Sequence, residues 1–174
     1  MMNILMIGDI VGAPGRALVK QALPKVLRRH AIDYCVANAE NLAGGNGVTR
    51  ELAAELLSLG VNCLTSGNHI WDKREIMSVM DSMPQLLRPA NYPAGQPGRG
   101  FHIGKSRTGV KVGTLNLSGR VFMNGSIDDP FTLGRRIAED LRRETPVILV
   151  DMHAETTSEK TAMGFFMDGL ASVV

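Results

Sequence analysis

Cysteines, aromatic residues and long apolar runs are all scarce in this sequence. Its 174 residues include two cysteines, one tryptophan, two tyrosines and five phenylalanines. Cys35 and Cys63 lie in apolar, strand-like segments without a CxxC partner, so we expect reduced, buried thiols rather than a disulfide framework. No apolar stretch approaches the roughly 18 residues of a membrane-spanning helix. The N-terminal segment MMNILMIGDIVG has no basic region and is interrupted at Gly8 and Asp9, which predicts a cytoplasmic protein without a signal peptide or membrane partner.

Strong charge of either sign is also lacking. The formal net charge is +2, and 21% charged with 44% hydrophobic residues is typical of an ordinary globular protein. This mild balance gives no indication of a nucleic-acid partner. We interpret the Arg-Arg pairs at residues 28–29, 135–136 and 142–143 as solvated helix faces. The length predicts a single domain over residues 1–174 with its own hydrophobic core.

Short apolar segments typical of buried strands recur along the chain. The first, residues 3–8, is almost continuously apolar, which predicts a strand buried on both faces. FHIGKS and VKVGTLNL flank the turn sequence RTG and predict a hairpin. The final residues, ASVV, have the pattern of another strand beginning. Further buried strands are predicted at residues 33–39, 61–66 and 146–151.

Helical patterns separate these strands. Thr49 and Gly60 are typical N-cap and C-cap residues, and Pro130 stands at the first helical position after an Asp cap. Residues 86–101 are rich in proline and glycine, which predicts an ordered loop. This alternation predicts an α/β fold whose main sheet is at least partly parallel, with the hairpin adding antiparallel strands. Helices are predicted over residues 16–30 with a kink at Pro24, and over residues 49–60, 73–83, 128–144 and 156–169.

Polar side chains leave four of the predicted strands. Ligands of α/β sheets bind outside the carboxyl ends of the strands, so we expect these side chains to meet at one edge of one sheet. Carboxylate, amide and imidazole groups in such a set suit divalent metals such as Mn, Fe, Zn or Co. The residues are Asp9 after the first strand, Glu40 and Asn41 after the second, Asn68 and His69 after the third, and Asp151, His153 and Glu155 after the fourth.

Several of these residues also have simpler interpretations. Asp9 could cap the first helix, as aspartate commonly does. Glu40 and Asn41 could hold the glycine-rich loop at residues 44–47, because acids and asparagine are common in turns. His69 could be a core histidine bonded to a backbone carbonyl. Each interpretation accounts for one strand end, whereas a metal site accounts for all of them.

A Rossmann-type nucleotide site is a further alternative. Gly8, Gly12 and Gly15 follow the first strand, but their spacing departs from GxGxxG. The acid that leaves the second strand, Glu40, would also have to contact a ribose instead of a metal. The pattern therefore favours a metal site.

The same motifs carry a specific family resemblance. GD at residues 8–9, AEN at 39–41, GNHIWD at 67–72 and DMHAE at 151–155 resemble the calcineurin-like metallophosphoesterase superfamily, in particular its bacterial YmdB-like phosphodiesterase branch. RPANYP at 88–93 and the GGNG loop match that branch as well. The resemblance runs from residue 3 to the last residue. It implies a metallophosphoesterase sandwich with a mixed, largely parallel sheet flanked by helices.

The resemblance implies a centre of two divalent metal ions. By position, Asp9 binds the first metal, Glu40 bridges the two, and Asn68 and His153 bind the second, while Asn41 lies at the metals or contacts the phosphate. The wider superfamily has Asp-x-His in its first motif and an aspartate as the bridge. The absence of that histidine and the glutamate bridge both fit the YmdB-like branch. Fe or Mn are the expected metals, with Zn, Co or Mg also compatible.

The resemblance further implies a reaction and a substrate class. Two cations neutralise a phosphate ester and acidify a shared water, so that hydroxide is available at neutral pH. His69 faces the substrate and protonates the leaving oxygen or stabilises its charge, and Asn41 is the second residue expected to bind the substrate, where it contacts the phosphate rather than a metal. The expected substrate is a small phosphodiester, with 2',3'-cyclic nucleotides the leading candidates.

The resemblance also leads us to expect a C-terminally incomplete domain. In the family, the next strand is followed by a His-x-His pair that completes both metal sites, and ASVV corresponds to the start of that strand. Open coordination positions would follow, and exposed apolar sheet edges would favour a homo-oligomer. The alternative function is therefore a non-catalytic metal- or ligand-binding regulatory protein.

Overall fold

Strands and helices alternate along most of the chain. The computed structural model describes residues 2–123 and 125–174. A 3₁₀ turn, Met80–Ser82, follows the third helix. The elements are β1 (Ile4–Ile7), α1 (Gly12–Arg29), β2 (Tyr34–Asn38), α2 (Arg50–Ser58), β3 (Cys63–Thr65), α3 (Ile76–Val79), β4 (Phe101–Lys105), β5 (Lys111–Ser118), α4 (Pro130–Arg142), β6 (Ile148–His153) and α5 (Thr157–Phe166).

The strands form two sheets of three strands each. The first sheet is parallel and has the order β1-β2-β3, and the second has the order β4-β5-β6. In the second sheet, β4 and β5 form the predicted antiparallel hairpin, and β5 pairs with β6 in parallel. The expectation of one main sheet is therefore wrong, whereas the predicted α/β sandwich of mixed, largely parallel strands is confirmed.

Side chains of alternate strand residues divide among three apolar layers. In β2, Tyr34 and Val36 face the second sheet, where they pack with Val112 and Leu149. Cys35 and Ala37 point to the other face of β2 and pack under α1 and α2. The inner faces of the two sheets thus form the centre of a sandwich, as the period of two along a strand requires. A third apolar cluster lies between the second sheet and helices α4 and α5.

Three sequence predictions of individual elements are confirmed in detail. The Thr49 hydroxyl accepts a hydrogen bond from the backbone N–H of Leu52, which caps α2. The Asp129 carboxylate accepts the N–H groups of Phe131 and Thr132 at the start of α4. Both cysteines are buried and free.

Two other predictions are wrong. The strand β1 is not buried on both faces, because it lies at the edge of its sheet and Met6 is 40% exposed. The helix predicted over residues 73–83 is reduced to α3 and the 3₁₀ turn. Its residues make i to i−3 bonds, such as Ile76 N–H to the Lys73 carbonyl, and the Ser78 and Ser82 hydroxyls bond carbonyls three residues earlier. These side-chain bonds compete with a regular helix.

The loop predicted at residues 86–101 is present, because residues 86–100 contain no regular helix or strand. The first helix is longer than predicted and begins at Gly12 rather than at residue 16. Val173 forms an isolated parallel bridge to Leu149, so ASVV does start a pairing with the second sheet. Within the described residues, no helix is long and apolar enough to span a membrane.

The packing between the first sheet and its helices predicts which leucine side chains can be shortened to alanine without loss of stability. Leu64, in β3, is fully buried, whereas Leu18, on α1, is 65% exposed. We expect Leu64→Ala to lower the free energy of unfolding by about 2 to 5 kcal/mol, because transfer and cavity costs add in a packed core. The matched variant Leu18→Ala should change it by less than about 0.5 kcal/mol. Urea unfolding followed by circular dichroism measures both, and equal losses would contradict this packing.

Candidate metal centre

The candidate ligands come from the carboxyl ends of both sheets. Asp9 follows β1, Glu40 follows β2 and Asn68 follows β3, whereas His153 is the last residue of β6 in the second sheet. The side chains therefore meet across the sandwich and not along one sheet, which corrects the expectation from the sequence. Short turns after parallel strands bring the first three together.

Glu40 lies at the middle of the group. Its side chain is 3% exposed, and its Oε1 lies 3.4 Å from Nε2 of His153. The other oxygen, Oε2, accepts the backbone N–H of His69 at 3.1 Å. Nε2 of His153 is in turn 2.9 Å from Oδ1 of Asn68. Three of the five predicted ligands are thus in direct contact.

Asn41 connects Asp9 to this group. Its amide nitrogen donates to Oδ2 of Asp9 at 2.7 Å and approaches Oε1 of Glu40 at 3.5 Å. The amide oxygen of Asn41 is buried and has no hydrogen-bond partner within the described residues. A buried acceptor without a partner is costly in a folded protein unless an ion or water satisfies it.

The electrostatics of Glu40 also favour a cation. Burial raises the pKa of Glu40 above its ordinary range, and the negative charge of Asp9 acts in the same direction. The neighbouring His153 opposes this shift but does not abolish it. A divalent ion beside the carboxylate would stabilise its charged form, because bound cations are the largest local charges in such sites.

The spacing of the donor atoms fits a shared metal ion. Two ligand atoms bound to one ion at about 2.1 Å, with an angle near 90–110°, lie about 3.0–3.4 Å apart. The distances of 2.9 Å from His153 to Asn68 and 3.4 Å from His153 to Glu40 are close to this range. No group of three His, Cys, Asp or Glu side chains that could hold a metal occurs within residues 2–123 and 125–174. A centre here therefore needs an amide oxygen as a ligand, and Oδ1 of Asn68, next to His153, is placed for this role.

Gly67 makes room for the histidine. A Cβ atom added at Gly67 would overlap the imidazole ring of His153. The carbonyl of Gly67 accepts the hydroxyl of Tyr92 at 3.3 Å, which fixes the backbone at this point. A glycine before Asn68 is therefore required by the approach of the second sheet and not by the turn alone.

His69 is held outside the ligand group. Its Nδ1 lies 2.7 Å from Oδ2 of Asp72, and its side chain is 40% exposed. Asp72 also accepts the amide of Asn46, from the glycine-rich loop, at 3.2 Å. This exposure excludes a core histidine, and the bond at Nδ1 leaves Nε2 as the nitrogen available to a substrate. Sequence reasoning missed the role of Asp72, although its spacing of three residues from His69 was a usable signal.

The alternative interpretation of Asp9 and the positions of the two remaining strand-end acids, Asp151 and Glu155, can be compared with the structure. Asp9 does not cap α1, whose N-cap residue Val11 makes no side-chain cap bond. Asp151 lies inside β6, and its carboxylate accepts the hydroxyl of Thr65, which ties the two sheets together. Burial raises the pKa of Asp151, and this hydrogen bond opposes the shift. Asp151 is therefore a link between sheets, and Glu155 is exposed.

A cleft opens beside the ligand group. It has a volume of about 430 Å³ and begins at Asn68 and His69. Its walls include two aromatic residues, Trp71 and Tyr92, that sequence analysis did not assign to a site. The predicted loop at residues 86–101 contributes Tyr92, Pro93 and Gln96 to the wall. The space is sufficient for a small organic phosphate next to the candidate metals.

Comparison with known proteins supports the motif assignment. A family model described as YmdB-like protein matches residues 5–174. The chain belongs to this family. Among curated YmdB-like relatives, a 2',3'-cyclic-nucleotide 2'-phosphodiesterase from Bacillus subtilis is 43% identical over 173 residues. That match covers 99% of this chain and 65% of the relative, so the chain spans slightly less than two thirds of its length.

Solved structures show the same fold. A protein from Thermus thermophilus, described as hypothetical, has a TM-score of 0.89 at 38% identity, covering 99% of this chain and 66% of the other. A phosphatase from Mycoplasma pneumoniae has a TM-score of 0.87 at 31% identity, covering 98% of this chain and 63% of the other. The YmdB-like architecture is therefore shared along nearly the whole of this chain.

The close approach of Gly67 to His153 generates a test of the ligand group. We expect Gly67→Ala to displace the imidazole and to weaken Mn²⁺ binding by about 10- to 100-fold, as loss of ligand orientation does in other metal sites. Gly164→Ala is the matched control, because a Cβ there meets nothing within 4 Å. Isothermal titration with Mn²⁺ measures both variants. Unchanged affinity in Gly67→Ala would show that His153 is not a ligand.

Proposed function

We propose that this chain is the metal-binding part of a metal-dependent phosphodiesterase. The observation that carries this proposal is the convergence of Glu40, Asn68 and His153, together with the buried, unpartnered amide oxygen of Asn41. The name of the Bacillus subtilis relative supports a phosphodiester substrate. An ion or a bound water would satisfy this acceptor, and an ion would also account for the convergence of the other three side chains.

The residues divide between two ion positions. Asp9 would hold one ion, Asn68 and His153 would hold the other, and Glu40 lies between them and would bridge them. The amide nitrogen of Asn41 holds the Asp9 carboxylate, and its unpartnered oxygen would serve an ion or a bound water. Divalent cations bound there supply positive charge beside a phosphate ester and lower the pKa of a bound water. Mn or Fe suit this mixed oxygen and imidazole set.

His69 would supply the proton for the leaving group. Its backbone N–H is fixed by Glu40 and its Nδ1 by Asp72, so the ring is oriented at the mouth of the cleft. The carboxylate of Asp72 orients the ring through Nδ1, so that a proton on Nε2 would be directed at the departing oxygen. The ring needs no direct bond to a metal for this role.

The substrate class follows from the cleft and from the relative. A small diester fits the space of about 430 Å³ beside Asn68 and His69. We infer that 2',3'-cyclic nucleotides are the substrates, as the name of the Bacillus subtilis protein indicates for that relative. Hydrolysis breaks one of the two P–O bonds of the cyclic diester, the other remains as a phosphate monoester, and the departing ribose oxygen would take its proton from His69.

Metal removal and one conservative substitution test the centre. After chelation, Mn²⁺ or Fe²⁺ should restore hydrolysis of bis-p-nitrophenyl phosphate, and Glu40→Gln should lower kcat/KM by at least about 100-fold, because the bridging charge is lost. Glu139→Gln, at an exposed position of α4, is the control. Metal analysis accompanies the kinetics. Full metal content without turnover in the unaltered chain would instead support the non-catalytic binding protein.

A second substitution tests the acid. His69→Ala should lower kcat by about 100- to 10,000-fold, the usual contribution of general acid catalysis, while the metal content stays unchanged. His30→Ala, at an exposed position after α1, should leave both quantities unchanged. Steady-state kinetics and metal analysis measure the effect. Parallel loss of metal and activity in His69→Ala would make His69 a ligand rather than the acid.

A further inference from the structure

The cleft beside the metal centre has a composition unusual for this chain. The sequence contains one tryptophan and two tyrosines, and Trp71 and Tyr92 both line this cleft. The other tyrosine, Tyr34, is fully buried in the core. The single tryptophan and the one tyrosine outside the core therefore lie together where a substrate would enter, whereas none of the five phenylalanines lines this cleft.

Both rings have fixed positions. Trp71 and Tyr92 are half-buried and pack against the apolar cluster under the first sheet. The Tyr92 hydroxyl donates to the carbonyl of Gly67, and burial raises its pKa to about 12, so it stays protonated as a donor. Rings held in this way present a preformed surface to a planar ligand.

Two polar atoms of the cleft residues lack partners. Oε1 of Gln96 and Nε1 of Trp71 are buried and make no hydrogen bond within residues 2–123 and 125–174. One is an acceptor and the other a donor. A purely apolar wall would contain neither, whereas the edge of a nucleobase offers both complementary groups.

We propose that this cleft is a nucleobase subsite, in which the base stacks on Trp71 and Tyr92 and the amide of Gln96 contacts its polar edge. This inference rests on the proposed phosphodiesterase function and extends it to base selection. Oε1 of Gln96 is covered in this structure, so the amide turns into the cleft as a base enters. There its oxygen accepts from an exocyclic amino group and its nitrogen donates to a ring nitrogen, the pairing that glutamine makes with adenine. Uracil carries no amino group, so adenine should be preferred.

Relative rates on different substrates test the subsite. Tyr92→Leu should lower the ratio of kcat/KM on 2',3'-cyclic AMP to that on methyl p-nitrophenyl phosphate by at least about fivefold, because base stacking on an aromatic ring is lost. Tyr92→Phe keeps the ring and should keep the ratio. Gln96→Leu should bring the ratio for 2',3'-cyclic AMP over 2',3'-cyclic UMP close to one. The controls Phe165→Ala and Gln21→Leu, at exposed positions, should change neither ratio.

Fluorescence gives a readout that does not depend on turnover. Trp71 is the single tryptophan, so its emission reports occupancy of the cleft. We expect a saturable change with adenosine 3'-phosphate, a weaker affinity for uridine 3'-phosphate and no change with glycerol phosphate. Gln96→Leu should weaken the binding of adenosine 3'-phosphate by at least about fivefold, whereas Gln21→Leu should not.

The outcomes separate the two proposals. No saturable response to adenosine 3'-phosphate, or equal responses to it and glycerol phosphate, would overturn the nucleobase subsite even if diesters are hydrolysed. Nucleotide binding with the expected base preference, but no hydrolysis of any diester with Mn²⁺ or Fe²⁺, would support the subsite and overturn the phosphodiesterase function alone.

Discussion

A buried carboxylate at the junction of two sheets is the constraint on which the site depends. Glu40 is nearly inaccessible to water, yet it lies within reach of the His153 ring and the His69 backbone. Burial disfavours its charged form, and Asp9 adds to that effect. The fold compensates only in part through His153 and through N–H donors. What remains is a negative, oxygen-rich position, which is the condition that a divalent cation satisfies.

The relative position of the two sheets decides whether this arrangement exists. Three contacts close to the site hold them together: the Thr65 hydroxyl bonds the Asp151 carboxylate, the Ser66 N–H bonds the Asn116 side chain at 2.8 Å, and Gly67 packs against the His153 ring. These contacts involve consecutive residues 65–67, directly before Asn68. Because the ligands belong to different sheets, any shift between the sheets would separate His153 from Glu40.

Much of the fold and of the candidate site could be predicted from the sequence, and the predictions that were wrong have physical causes. The strand ends that carry Asp9, Glu40, Asn68 and His153 were identifiable because parallel strands deliver their last residues to one side of a fold. Alternation of strands and helices does not reveal whether strands join one sheet or two, so the sandwich came from the family resemblance. The roles of Asp151 and the cleft residues depend on distances between segments far apart in sequence, which no local pattern contains.

The segment GNHIWD shows how one turn serves several purposes. Two successive turns run through it, with bonds from Ile70 N–H to the Gly67 carbonyl and from Asp72 N–H to the His69 carbonyl. The fully buried Ile70 fixes the segment in the core, and the residues on either side of it project into the metal edge or the cleft. The proposed ligand Asn68, the proposed acid His69 and the ring of Trp71 therefore share one segment that is anchored in the core. In the proposed subsite, selectivity among bases is better varied at Gln96, which lies on a loop without regular secondary structure. A change there can alter the space for a base without disturbing Asn68 or His69, because its polar side chain makes no bond to the metal edge.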